Sequence, residues 1–388
     1  MKKIAFYLLA ITFLLQSCTA LQQASKPKPG PKPGPKPQTQ QPNNTNTGSK
    51  EYPTGLKTGS VTYNTPVKPN GTRYKDPIYN NVSKTMYVYE ESALQQDGSR
   101  DNLEMTVYQP EGDATKNRPC IIYVYGGGFF TKVSDGMNEL GTGFAKKGFV
   151  GVCIEEYRMG YPGGTVNLTK CIGTPKEFEP AVFRAIQDIR AAIRYVKDNA
   201  DKLGIDKNKI FIGGQSAGAF ISVGAAYLEQ DEVNAKMSGT NGTIDATSNS
   251  SNDAKVAGVF TFAGGSLWPE TVDNTNIPTI FFHGSCDNFV APEIGTMFGC
   301  SKAGTYPTTY GGKYLFDQLN KKGAPVQYVN ICNAGHDLPT WNFTQVLDRV
   351  TQFAYDVMNN TLQKGKTETQ QAKTPKCPGQ NCNLIIAD

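Results

Sequence analysis

Histidine is nearly absent from this chain. Among 388 residues there are two, His283 and His336, so any chemistry that needs an imidazole to take a proton must use one of them. No Cys-x-x-Cys pair occurs, and with so little histidine there is no basis for a zinc site, so neither a metal nor a cofactor is expected. Charge of one sign is scarce too. The net charge is only +5, much of it in a Lys-Pro repeat, and no basic run is interleaved with aromatics, which argues against a nucleic-acid partner. Apolar residues reach only 38%, because polar stretches dilute an ordinary core. No internal repeat is visible. The length suits one large α/β domain of roughly 250–300 residues with appendages, or two smaller domains.

The N-terminus holds the one long apolar run. Lys2 and Lys3 precede Ile4 to Leu15, a charged region and an apolar region too short to span a bilayer comfortably. The following Leu15-Gln16-Ser17-Cys18 resembles a bacterial lipobox, which implies cleavage before Cys18 and lipidation of that cysteine. The alternative is an ordinary secretory peptide, and either reading predicts export. Residues 1–17 are therefore expected to be a signal peptide. Residues 18–50, with proline at alternate positions from Lys26 to Pro37, predict a semi-stiff spacer, because proline removes amide donors and favours extended geometry. A globular domain is expected over 51–362 and a polar tail over 363–388, loose apart from Cys377 and Cys382.

Within the domain, Thr85–Glu90 and Leu103–Pro110 alternate like an antiparallel strand pair, with Asp97-Gly98 as a turn between them. Pro119–Tyr125 and Gly148–Ile154 read as buried strands. A helix from about Pro180 to Leu203 has one apolar stripe, Val182, Ile186, Ile189, Ile193 and Val196. Strands over Val256–Ala263, Ile277–Phe282 and Val326–Ile331 follow, with helices over Tyr310–Leu319 and Trp341–Met358. The alternation predicts an α/β fold: a doubly wound, mostly parallel sheet with an antiparallel N-terminal start. The Asn/Ser/Thr/Gly-rich stretch 229–255 reads as a surface excursion, expected with the loop 155–175 to shape a pocket.

Chemistry concentrates at Gly214-Gln215-Ser216-Ala217-Gly218, which follows the apolar strand Ile210–Ile212 and opens an apolar helix. A G-x-S-x-G turn of this kind holds its serine in a strained conformation at the C-terminal edge of a parallel sheet, with tiny neighbours where strand and helix nearly touch. Alone the pentapeptide is a weak signal, since Ser216 could equally be a helix N-cap. Asp287 and His336 lie after two later strands, and Ser, Asp, His is the chain order of an acyl-transfer triad on such a sheet. Asp273 and Glu270 are alternative carboxylates, and His283 is the competing base. It precedes Asp287 in the same strand end and reads as a brace for that loop. Asp188 and Arg194 on the long helix read as structural pairing.

Leu103–Pro110, Gly126-Gly127-Gly128-Phe129, Ala185–Arg194, the Ser216 turn, His283–Asp287 and Gly335-His336 together resemble the α/β-hydrolase superfamily, in its bacterial carboxylesterase and feruloyl/acetyl-esterase-like branch. The resemblance implies a serine esterase with Ser216 as nucleophile, His336 as base and Asp287 as acid. Its oxyanion donors would be the amides of Gly127, Gly128 and Ala217. It implies a small-molecule or glycan ester as substrate, and membrane association only through Cys18, in the cell envelope. One departure is Tyr125, where the family usually has a histidine that braces the glycine loop; altered loop packing is expected. The rival readings are a peptidase of the same superfamily and a non-catalytic glycan-binding lipoprotein. Of the nine cysteines, eight remain besides Cys18. Their pairing is not deducible, but Cys286 or Cys332 is expected to be bridged, and Cys120 and Cys153 to be buried as small apolar residues.

Overall fold

A computed structural model describes residues 56–62, 67–134, 136–161, 166–167, 170–236, 242–300, 306–338, 341–379 and 382. The expected signal peptide, Cys18 and the proline-rich spacer lie outside them. No helix among the described residues is long and apolar enough to cross a membrane.

The chain enters with an antiparallel meander, as the alternating sequence predicts. Strands β1 (Leu56–Thr62), β2 (Asn81–Leu94) and β3 (Arg100–Pro110) pair in order, and β3 lies antiparallel against β5 (Val150–Ile154). Every later neighbour in this sheet is parallel: β4 (Arg118–Val124), β6 (Ile205–Gln215), β7 (Gly258–Phe262), β9 (Thr279–Gly284), β12 (Val326–Cys332) and β13 (Lys366–Gln371). The order across the ten strands is β1-β2-β3-β5-β4-β6-β7-β9-β12-β13. The parallel strands β4, β5, β7, β9 and β12 are buried along their whole length. That is why their sequences run continuously apolar instead of alternating. A small antiparallel sheet joins β10 (Ile294–Thr296), β11 (Thr308–Gly311) and β8 (Gly265–Ser266).

The helices are α1 (Met137–Lys146), α2 (Pro175–Asp198), α3 (Ala200–Leu203), α4 (Ala217–Tyr227), α5 (Gln230–Lys236), α6 (Gly312–Lys321) and α7 (Phe343–Met358). The apolar stripe of α2 is fully buried, and α2 packs on α4 while α1 packs on α7. Helix α2 starts a turn and a half earlier than its proline suggested. Thr174 and Glu177 form a capping box, with the Thr174 amide donating to Glu177 Oε2 at 2.8 Å. Pro180 falls in the second turn, at the cost of one amide bond.

Two further regions carry ties that their sequence reading did not show. Residues 242–255 are fastened along α2: Gln187 donates to the Thr243 carbonyl, Asp245 pairs with Arg190 and Arg194, and Asp253 with Lys197. The tail is not loose. Its polar β13 adds to β12, and the Cys286–Cys377 and Cys332–Cys382 disulfides tie the residues beyond β13 to the sheet. An edge strand needs backbone pairing on one side only, so its Lys-Thr-Glu-Thr-Gln-Gln sequence carries no apolar signal. A third disulfide joins Cys171 to Cys300, and Cys120 and Cys153 are buried and free.

The centre of the sheet has no spare room. A Cβ on Gly213 would lie 2.1 Å from the Phe260 carbonyl oxygen of β7. Gly213→Ala is expected to lower stability by about 3 kcal/mol, as overpacking against backbone does. Urea unfolding checks it, with the midpoint falling and the slope unchanged.

Candidate active site

Ser216 sits between β6 and α4 with φ 51° and ψ −120°, a conformation that a side-chain-bearing residue holds only when its surroundings enforce it. The enforcement comes from the glycines beside it. A Cβ on Gly214 would meet the Val124 carbonyl at 2.3 Å, and one on Gly218 would meet the same oxygen at 2.1 Å. The Ser216 amide donates to the Phe262 carbonyl at 2.9 Å, and its own carbonyl accepts from Ala219 and Phe220. The hydroxyl is thereby held at the sheet's C-terminal edge.

His336 and Asp287 line up behind that hydroxyl from the ends of β12 and β9. Ser216 Oγ lies 2.9 Å from His336 Nε2, and His336 Nδ1 lies 2.8 Å from Asp287 Oδ2. With Nδ1–H donating to the carboxylate, Nε2 is left to accept the serine proton. Asp287 Oδ1 accepts from the amides of Phe289 and Val290 at 3.0 and 2.9 Å. Burial alone would raise the Asp287 pKa, yet hydrogen bonds from His283 and His336 hold the carboxyl well below the ordinary carboxylate range.

The other histidine braces the loop. His283 is fully buried, its Nδ1 accepts from the Gly312 amide at 3.3 Å, and its Nε2 faces the Val290 carbonyl at 2.9 Å and Asp287 Oδ2 at 3.4 Å. Both ring nitrogens are thus occupied. The carboxylate bonded to the His336 ring is that of Asp287; neither Glu270 nor Asp273 takes that position.

The acid and base loops are also joined to each other. The Cys286 amide donates to the Ala334 carbonyl, the Asn333 amide to Ser285 Oγ, and the Lys376 amide to the Asn333 carbonyl. Trp341, fully buried, donates from its indole to the Gly335 carbonyl at 3.1 Å. Phe289 packs on the His336 ring at 5.0 Å between centroids. Sequence reasoning missed Trp341 and Phe289, since an aromatic near a loop carries no periodic signal.

The glycine loop faces Ser216: a Cβ on Gly126 would come within 3.2 Å of Ser216 Cβ. Its carbonyls are tied on the far side. Gly126 O accepts from the Val133 amide, and Gly127 O from Phe130 and Thr131. A trans peptide points its N–H opposite its carbonyl, so these bonds aim the Gly127 and Gly128 amides away from the Phe130–Val133 segment. Ala217 is the first residue of α4, so its N–H has no partner within the helix. Tyr125 is buried and stacked on Tyr157 at 4.5 Å, with its hydroxyl 3.8 Å from Met159 Sδ. Among the described residues no cluster of three or more His, Cys, Asp or Glu is placed to hold a metal ion.

Sheet order, strained turn and Ser-Asp-His sequence define the class: the chain has the α/β-hydrolase fold. Within that class, residues 174–267 match the family model described as BD-FAE. Esterase 2 of Thermogutta terrifontis, in its paraoxon-phosphorylated structure, superposes with a TM-score of 0.50 at 17% identity, covering 72% of this chain and 95% of that one. At that identity the likeness speaks to the fold. The chain is also 29% identical over 122 residues to Esterase B1 of Culex pipiens, which is 31% of this chain and 21% of that protein. It is 30% identical over 125 residues to fumonisin B1 esterase of Sphingopyxis macrogoltabida, 31% of this chain and 22% of that protein. The chain thus spans about a fifth of the length of the curated relatives it matches.

The buried Asp287 carboxylate has a consequence for pH. Because its folded pKa is depressed, its stabilisation is complete above the ordinary value of 3.8 and is lost progressively as pH falls below it. Asp287→Asn is expected to flatten the acid limb of thermal stability below about pH 4, measured by melting temperature from pH 2 to 7.

Proposed function

We propose that the protein is a serine hydrolase of carboxylic esters. The observation that carries this is the line of hydrogen bonds from Ser216 Oγ through His336 to Asp287, at 2.9 and 2.8 Å, beside the glycine loop. Ser216 attacks the ester carbonyl while His336 Nε2 takes its proton. Asp287 holds the imidazole and stabilises its charged form. The amides of Gly127, Gly128 and Ala217 receive the oxyanion. His336 then returns the proton to the departing alcohol, and water, activated by the same nitrogen, releases the acyl group. The sequence matches to proteins named as esterases support the choice of ester over other acyl donors.

The finer reading is that the acyl group is an acetyl or feruloyl ester on a plant polysaccharide, supported by the family resemblance and the BD-FAE match. The leader ending just before Cys18 supports an exported protein anchored by lipid at that cysteine. Labelled palmitate incorporated by the wild type and not by Cys18→Ala is the expected result for the anchor.

Turnover of a p-nitrophenyl ester series from acetate to octanoate tests the activity. The wild type should prefer short chains, and Ser216→Ala should lose at least about 10⁴-fold in kcat. A folded wild type that neither turns over these esters nor reacts at Ser216 with a fluorophosphonate would overturn the proposal.

A further inference from the structure

Three consecutive residues of the glycine loop have left-handed backbones: Gly127 at φ 125°, Gly128 at 63° and Phe129 at 61°. Glycine holds such angles freely, but phenylalanine does not. A flip of the peptide plane between Gly128 and Phe129 would rotate ψ of the first and φ of the second together. Phe129 would return to the ordinary β region, and the Gly128 carbonyl and Phe129 N–H would exchange sides. Something must oppose that flip.

The Gly128 carbonyl, which would swing through the flip, accepts a hydrogen bond from the Tyr161 hydroxyl. The next carbonyl, that of Phe129, accepts from the Gly160 amide at 2.8 Å. Both donors come from the segment after β5, and α2 holds that segment in place. Arg184 donates to the carbonyls of Met159 and Gly160 at 3.2 and 2.6 Å, and Asp188 accepts from the Arg158 amide at 2.8 Å and from its guanidinium. Tyr161 itself is buried, edge-on to Phe178 of α2 at 4.8 Å. Burial keeps its hydroxyl protonated, far above the usual phenol range.

Resting on the esterase reading, we propose that Tyr161 is the positioning residue of the oxyanion loop. It locks the Gly128–Phe129 peptide in its strained orientation and so holds the path of the loop that carries the Gly127 and Gly128 amides. The brace is supplied from the segment after β5, while Tyr125 at the head of the loop packs on Tyr157.

Tyr161→Phe removes one hydroxyl and leaves the ring in place. For p-nitrophenyl acetate, kcat should fall about ten- to a hundredfold, somewhat less than for outright loss of an oxyanion donor. KM should stay within about twofold, because the ground-state carbonyl gains little from the amide. The Ki of a trifluoromethyl ketone, whose hemiketal oxygen occupies the oxyanion position, should rise by the same factor as kcat falls. Rates are expressed per fluorophosphonate-titrated site, so lost folding cannot imitate the effect. Unchanged kcat per titrated site would overturn the proposal. If Tyr161→Phe fails to fold, Arg184→Gln loosens the same segment, and it should lower kcat in the same direction with KM held. A wild type inert to all esters would instead sink the esterase reading. The crystal structure of Tyr161→Phe then decides separately: a flipped 128–129 peptide supports the lock, and an unflipped one refutes it.

Discussion

The constraint on which the rest of the site depends is the lack of space around Ser216. Strand β6, helix α4 and the end of β4 converge so closely that the Val124 carbonyl lies within about 2.3 Å of where side chains on both Gly214 and Gly218 would begin. Only residues without a Cβ allow that approach. The same crowding holds Ser216 in its left-handed conformation. Strain of this kind persists only in over-determined surroundings, which explains why the turn lies at the middle of a ten-stranded sheet and not at its edge.

From that fixed point the remaining groups are placed by strand ends. Asp287 follows β9 and His336 follows β12, and these strands are direct neighbours. The two loops therefore share backbone bonds as well as the carboxylate–imidazole contact. His283 adds a brace beneath Asp287 whose two nitrogens are both engaged. The two histidines thus divide the work: one is locked by its partners, the other keeps a nitrogen for the serine.

Much of this was legible in the sequence, for identifiable reasons. Buried parallel strands leave unbroken apolar runs, so β4, β5, β9 and β12 were visible, and short motifs at their C-terminal ends pointed to Ser216, Asp287 and His336. The scarcity of histidine narrowed the base to two choices. What escaped was whatever depends on contacts distant in the chain. The role of Tyr161 lies in a bond to Gly128, 33 positions away. Residues 242–255 lie at the surface as read, but their ties to α2 were not legible, because polar sequence looks alike whether it meets water or a buried arginine. Strand β13 escaped because a strand at the rim has no apolar period to read. The Thr174–Glu177 capping box was legible in principle but was outweighed by Pro180.

That polar last strand also governs how the folded chain behaves among its own copies. Strand β12, Val326–Cys332, is buried at every position and would be the sheet's outermost parallel strand if β13 were absent. Its unpaired amides and carbonyls would then form an open, apolar template for strands of other molecules, the usual starting point of aggregation. Lys366–Gln371 occupies that template from within the same chain. Its exposed positions, Lys366, Thr369 and Gln371, carry polar side chains ill suited to further apolar addition. The disulfides at Cys377 and Cys382 keep this cap from peeling away, so the features that steady the acid and base loops also keep the protein dispersed.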